Sequence, residues 1–453
     1  MENITLEQIL ECCQGQYFGS REDLKREVTG IVTDSRKIVP GNLFVPLRGE
    51  KTDGHRYIPQ VMAAGALASL SEEELEEQPG NYILVESALE AMQKIAAFYR
   101  NMLGLKVVGI TGSVGKTSTK EMIAAVLSQH FRVHKTAGNF NNHIGLPLTI
   151  FGLEKDHEVG VLEMGISDFG EMDVLSSIAY PDICVITNIG LCHLENLKTR
   201  DGILKAKTEC FHHMREPGKA ILNGLDDKLN TIKEVNGASP VFYGRNGDAA
   251  YAAEIRDLGL MGIRINLHLY GKVKEVTIPI PGEHNIYNAL AAACVGHELG
   301  MDIEEICRGI ESVETIGGRS NLIHVKGMTV IDDCYNANPV SMKASIDVLS
   351  KAAGRKIAVL GDMGELGREE KELHAQVGTY LSEKNIDILF CAGELSAEIA
   401  REAEENPRCK VWHFSSKKDL IPVLLKEVKE GDTILVKASH FMEYPEIVEA
   451  LKK

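Results

Sequence analysis

Long apolar runs, a basic excess and paired cysteines are all missing from this chain of 453 residues. No apolar stretch approaches the ~20 residues that a membrane-spanning helix needs. Lysine and arginine total 49 against 65 aspartates and glutamates, a formal net charge of −16. Neither nucleic acid nor an anionic membrane is attracted to such a surface, although a local Lys/Arg cluster can still hold a small anionic substrate. The ten cysteines are scattered, none as Cys-x-x-Cys, and Cys12 and Cys13 are adjacent. That pattern excludes a disulfide framework and a zinc site, and predicts reduced thiols in a cytosol. The front of the chain, Met1-Glu-Asn-Ile-Thr-Leu-Glu7, carries acids where a secretion signal needs bases and an apolar run. The expectation is a soluble, cytoplasmic protein. With 44% hydrophobic and 25% charged residues the chain can bury sizeable cores, and its length suggests about three domains.

The apolar periodicity supports that division. Up to residue 103, helical spacing over 2–13, 57–64 and 88–103 alternates with short β-rich runs at 30–33, 42–47 and 82–85. The acidic run 72–77, followed by Pro79-Gly80, reads as a solvated connection. From 104 to 316, strand-like runs at 107–110, 160–163, 183–187 and 220–223 alternate with helical segments. Such alternation marks a parallel α/β sheet. A β-rich stretch over 263–280 interrupts it, and a helix follows from about 285. After Gly317-Gly318 the runs 329–331, 357–360, 388–390 and 433–436 again alternate with helices, predicting a doubly wound, Rossmann-like unit over 317–453.

The densest chemistry lies at Lys106-Val-Val-Gly-Ile-Thr-Gly-Ser-Val-Gly-Lys-Thr-Ser-Thr-Lys120. A buried strand runs into a turn where Gly112 and Gly115 let backbone N–H groups of Ser113, Val114 and Ser118 face an anion. Lys116 adds a positive charge, Thr117 a hydroxyl suited to Mg²⁺, and the helix that continues over 121–127 presents its N-terminus to phosphate. The usual phosphate-loop spacing has a glycine five residues before Gly115; here Ile110 stands there. By itself the loop indicates only a phosphate ligand.

Polar residues just beyond strand ends carry most of the remaining information, because ligands of open α/β sheets bind there. Glu163 ends Val-Gly-Val-Leu-Glu and could hold a cation, or could serve only as a surface acid. Thr187-Asn188 ends the next run, with His193 a few residues on; a lone histidine of this kind also reads as packing. Lys205 and Lys207, in a helical stretch, read by themselves as a solvated face. Asn139, Asn141, Asn142 and His143 crowd a glycine-flanked loop that suits a polar ligand or a plain turn.

Taken together these segments resemble the Mur ligases, the ATP-dependent amide-forming enzymes of peptidoglycan precursor synthesis. The resemblance spans nearly the whole chain in the family's order. It is carried by Thr111-Gly-Ser-Val-Gly-Lys-Thr117, Asp34-Ser-Arg36 with Pro40-Gly-Asn-Leu-Phe44 and Asp53-Gly-His55, Ala137-Gly-Asn-Phe-Asn-Asn142, Leu162-Glu-Met-Gly165 and Ala206-Lys-Thr-Glu209. Gly282-Glu-His-Asn-Ile-Tyr-Asn-Ala289, Gly318-Arg319, Asp332-Asp-Cys-Tyr-Asn-Ala-Asn-Pro339 and Gly361-Asp-Met-Gly-Glu-Leu-Gly367 continue it. The last two resemble the member that joins D-alanyl-D-alanine to UDP-N-acetylmuramoyl-tripeptide.

The resemblance implies an α/β fold of three domains. These are an N-terminal UDP-substrate domain (1–103), a central P-loop ATPase domain (104–316) and a C-terminal Rossmann-like domain (317–453). It implies ATP and two Mg²⁺ sites, with Thr117, Glu163 and His193 as metal ligands and Lys207 carried as a carbamate. Asn285 and Asn288 would touch adenine; Arg319, Asp332 or Asp333, and Asn336 would reach phosphate and ribose. Asp34, Ser35 and Arg36 would hold the UDP end of the substrate, and Asn141, Asn142 and Asn338 would also bind substrate. A monomer without nucleic-acid or membrane partners is expected. The family commonly shows Lys-Gly-Ser-Arg after the last strand, where this chain has Lys437-Ala-Ser-His440; a histidine cannot grip a carboxylate bidentately as arginine does. Competing readings are a sibling ligase adding another amino acid, disfavoured by the absence of its Asp-Asn/Asp-Pro-Arg motif, and a P-loop ATPase switch.

Overall fold

Val107, Val108 and Ile110 are wholly buried because their strand, Lys106–Thr111, lies in the interior of a nine-stranded sheet. A computed structural model gives the arrangement and describes residues 1–49, 52–76, 79–315 and 317–453. Glu77, the end of the acidic run, and Ile316, the last residue of the expected central unit, lie outside the described residues. Among the described residues there are three sheets, of five, nine and six strands.

In the first, Gly30–Val32, Asn42–Phe44, Ala68–Ser71 and Tyr82–Leu84 run parallel, with Gln16–Phe18 antiparallel at one edge. Helix Leu6–Cys13 starts at a capping box between Thr5 and Gln8. Helix Ala88–Leu103 starts at Ser87, whose side chain accepts from Glu90 N, and stops at Gly104 in the left-handed region. This helix binds the first unit to the second: Tyr99 donates to the Leu153 carbonyl at 2.8 Å. Ile95 and Tyr99 share one apolar core with Leu162 and Leu175 of the second unit.

The second sheet is parallel from Val133–Lys135 through Val159–Glu163, Lys106–Thr111, Ile183–Ile186 and Lys219–Asn223 to Val241–Tyr243. The β-rich interruption is an antiparallel meander, Ala250–Asp257, Ile263–Leu269 and Lys272–Ile278. Ile263, Ile265, Leu267 and Leu269 alternate inward, as the sequence pattern predicts. Helix Lys116–Leu127 begins earlier than the expected 121 because Gly115, at φ 83°, turns the chain directly into it. Helix His284–Glu298 packs beside it.

In the third sheet Met328–Asp332, Thr433–Lys437, Lys356–Gly361, Ile388–Ala392 and Lys410–Phe414 are parallel. Asn321–Val325 adds an antiparallel edge. Among the described residues no helix is long and apolar enough to cross a membrane. All ten cysteines are free.

Candidate active site

The phosphate loop is held from the neighbouring strand end. Ser113 N donates to the Asn188 carbonyl at 3.0 Å, and Val114 N to Asn188 Oδ1 at 3.1 Å, so these two N–H groups, expected to face an anion, instead brace the loop. Thr187 Oγ1 and Asn188 Nδ2 both donate to the Val114 carbonyl, at 2.6 and 2.9 Å. Gly112, at φ 147°, has no room for a side chain: a Cβ there would lie 2.0 Å from Thr187 Oγ1. No side chain caps helix Lys116–Leu127, so its first N–H groups and its dipole are left for an anion. Lys116 Nζ folds back to the Gly112 carbonyl at 2.9 Å. The sequence shows the glycines and the lysine; the brace from Thr187 and Asn188 comes from a strand remote in sequence.

Beneath the loop, Glu163 is 1% exposed at the end of its strand. One carboxylate oxygen accepts from Asn141 Nδ2 at 2.8 Å, and the other is buried with no partner. The adjacent strand ends at Thr111, whose buried hydroxyl is also unpartnered. Buried polar atoms are rarely left unpaired, so two at neighbouring strand ends mark a place for a ligand. Glu163 N donates to Thr136 Oγ1 at 3.0 Å, and buried Lys120, paired with Glu121 at 3.0 Å, donates to the Thr136 carbonyl at 2.6 Å. Lys120 thus ties the phosphate-loop helix to the Glu163 strand.

The third unit closes the opposite wall of a cleft of about 340 Å³ that Lys116, Thr117, Glu163, Asn141, Asn288 and Asn188 line from the central side. From the other side come Arg319, Asp333, Asn336, Asn338, Tyr335 and Lys437. Asp333 and Lys437 form a buried pair at 2.6 Å, and Ser345 and Ser320 N complete the carboxylate's partners. The Arg319 guanidinium lies 4.2 Å from the Tyr335 ring centre. Tyr335 and Lys437 escape the sequence reading as site residues, although Lys437 ends a strand and Tyr335 sits inside a quoted motif. Asn288 accepts from Thr119 Oγ1 and donates to Asn285 Oδ1, each at 2.9 Å.

Several candidates lie elsewhere. Asn285 donates to the Pro281 carbonyl and does not line this cleft. Asp332 accepts from Gly318 N at 2.9 Å and from the Cys334 thiol at 2.8 Å, which occupies its carboxylate structurally. Asn142 accepts from Gly145 N at the start of the next helix. Asp34, Ser35 and Arg36 stand in the first unit, just after strand Gly30–Val32. There Arg36 grips Asp34 through two 2.9 Å bonds and holds its carboxyl down at about 2. His440 stacks on Tyr335 at 5.8 Å.

Lys207 is wholly buried, while Lys205 is exposed. Burial, with Lys116 as a nearby like charge, pulls the Lys207 ammonium down to about 8. No carboxylate lies within salt-bridge distance of it among the described residues. His193 does not line the cleft; its Nδ1 meets Glu365 Oε2 of the third unit at 2.9 Å, and this bond holds the Glu365 carboxyl below its usual range.

A phosphate loop facing the carboxyl ends of two parallel sheets defines a nucleotide-using α/β enzyme. Domain models match in chain order: Mur ligase family, catalytic domain over 27–100; Mur ligase middle domain over 110–296; and Mur ligase, glutamate ligase domain over 318–440. The UDP-N-acetylmuramoyl-tripeptide–D-alanyl-D-alanine ligase of Bacillus subtilis (strain 168) is 39% identical over 453 residues, covering 99% of this chain and 98% of its own. The crystal structure of MurF from Acinetobacter baumannii matches with a TM-score of 0.92 at 32% identity, covering 100% and 99% of the two chains. MurF ligase from Thermotoga maritima in complex with ADP matches at 0.83 and 30%, covering 94% and 97%. The chain belongs to the Mur ligase family.

Proposed function

We propose that this protein joins D-alanyl-D-alanine to UDP-N-acetylmuramoyl-tripeptide at the expense of ATP, completing the pentapeptide precursor of peptidoglycan. The observation that carries the reading is end-to-end similarity to ligases of that name, 39% over 99% of the chain for the Bacillus subtilis relative. It is supported by a cleft that joins the phosphate loop to the third unit.

A carboxylate is a poor electrophile, so amide formation requires its activation. The γ-phosphoryl of ATP moves to the tripeptide's terminal carboxylate, giving an acyl phosphate and ADP. The dipeptide amine attacks the acyl carbon, phosphate leaves, and the amine's proton is lost to base or water. Lys116 and the free N–H groups of the helix start stabilise the charge on the transferring phosphoryl. Asn141 orients Glu163, and Asp333 with Lys437 fixes the opposite wall. Such catalysis is mainly positioning, which suits a site assembled between units.

Thr117 and Glu163 fit a hard divalent cation, since they offer oxygen donors and one of them is buried and unpaired. Mg²⁺ held there, with His193 at a second position, would neutralise charge between the phosphates and the incoming carboxylate. Lys207 fits carbamylation because its lowered affinity for protons leaves a free amine near neutral pH. Asp34, Ser35 and Arg36 serve the UDP end of the substrate; Asn288, held by Asn285, serves the adenine side, and Arg319, Asp333 and Asn336 serve phosphate and ribose. The units are assigned as 1–103, 104–316 and 317–453, and the protein as a cytoplasmic monomer. The test is product analysis with purified UDP-N-acetylmuramoyl-tripeptide, ATP and D-alanyl-D-alanine. A pentapeptide product supports the reading, and its absence under conditions where ATP binds rejects it.

A further inference from the structure

The loop 361–367 is fastened at almost every residue except its tip. Asp362 accepts from Ser396 N at 2.7 Å and Glu394 N at 3.1 Å. Met363 N donates to His374 Nε2 at 2.8 Å, and Gly364 N to Ser439 Oγ at 2.9 Å. Leu366 is buried. Between these anchors Glu365 takes a left-handed backbone, φ 63°, with its side chain 66% exposed. Non-glycine residues hold such a conformation only where the surroundings impose it.

What this tip reaches is His193, itself left-handed at φ 50°. Glu365 Oε2 lies 2.9 Å from His193 Nδ1. Leu191, two residues earlier, packs against the apolar core of the third unit, so the His193 loop is docked on that unit. The other charged group facing Glu365 is Lys116 of the phosphate loop. When Nδ1 carries the proton and donates it to a carboxylate, the Nε2 lone pair is free for a cation and the ring is fixed in orientation.

We propose that Glu365 is a positioning residue: brought in by the third unit, it accepts a hydrogen bond from His193 Nδ1–H and so sets Nε2 to bind a divalent cation only while the two units are docked. This deepens, and rests on, the reading of His193 as a metal ligand. It makes docking of the third unit a condition for a complete metal site.

The test uses the full-length protein with Mn²⁺ as probe, a non-hydrolysable ATP analogue and UDP-N-acetylmuramoyl-tripeptide. Mn²⁺ affinity is followed by electron paramagnetic resonance, and nitrogen ligation by electron spin-echo modulation. In wild type a histidine nitrogen signal is expected, and His193→Ala removes it. Glu365→Ala weakens the same Mn²⁺ by about 10-fold or more and reduces the nitrogen signal, with an unchanged melting temperature. Glu365→Gln retains both, because its amide oxygen still accepts from Nδ1. If His193→Ala leaves Mn²⁺ binding intact, the metal role of His193 fails. If His193→Ala weakens it but Glu365→Ala does not, or if Glu365→Gln is as damaged as Glu365→Ala, the positioning role alone fails.

Discussion

Glu163 and Asn141 meet at 2.8 Å through one carboxylate oxygen, and the other oxygen is buried with no partner. An uncompensated buried acceptor costs roughly 1–3 kcal/mol, a cost that a bound cation would offset. Glu163→Gln should therefore lower turnover at least about 100-fold and raise the Mg²⁺ needed for half-activity. Magnesium titration of ligation rates checks this, and an unchanged requirement would remove Glu163 from the metal site.

Lys116 stands at the helix start with its Nζ on the Gly112 carbonyl. Lys116→Ala should abolish ligation while leaving the far-ultraviolet circular dichroism and melting temperature near wild type. A folded variant with near-normal turnover would overturn its catalytic assignment.

Gly112→Ala places a methyl 2.0 Å from Thr187 Oγ1 at a backbone angle that favours glycine. The loop must shift, and nucleotide affinity should fall by an order of magnitude or so through lost N–H contacts. Calorimetric titration with ADP measures it; wild-type affinity would show that the loop tolerates the strain.

Lys207 links pH, carbon dioxide and activity. With its ammonium down at about 8, about half the free amines are neutral at pH 8, against about 0.3% for an ordinary lysine. Carbon dioxide depletion should lower activity, bicarbonate should restore it, and Lys207→Ala should be inactive but partly rescued by a small carboxylate. Its folded-state value lies below the unfolded one, so burial of the charge penalises the folded state below pH 8, and the penalty fades as pH rises towards 10.5. In carbon-dioxide-free buffer Lys207→Met should melt higher than wild type at pH 7, the gap closing by pH 10. Full activity of Lys207→Ala without rescue would reject the carbamate.

Lys437→Met leaves Asp333 buried without its cation. Removing one partner of such a pair costs about 3–5 kcal/mol, measurable by denaturant unfolding. The double variant with Asp333→Asn should recover much of it.

Much of this was legible in local pattern. The strand Lys106–Thr111, the helix Ala88–Leu103 and the alternating Ile263–Leu269 follow from apolar spacing and capping residues close in sequence. Short strands such as Val133–Lys135 and Val241–Tyr243 were not, because three residues carry no period and are held by their neighbours. At the site, Gly112, Lys116 and Glu163 announce themselves by position at strand and helix ends. Asn188 and Lys437 also stand at strand ends, but what they hold, like the partner of Glu365, is set by contacts across 70 or more residues of chain. Asp332 and Asp333 are adjacent in sequence, and only the fold separates the one bonded to Gly318 from the one in the cleft.

The most direct measurement is phosphate release with ATP and UDP-N-acetylmuramoyl-tripeptides ending in lysine or in diaminopimelate, each with and without D-alanyl-D-alanine. Sustained phosphate release should require the dipeptide and match pentapeptide formed, one for one. ATP hydrolysis indifferent to the dipeptide, or stimulated instead by a protein partner, would contradict it.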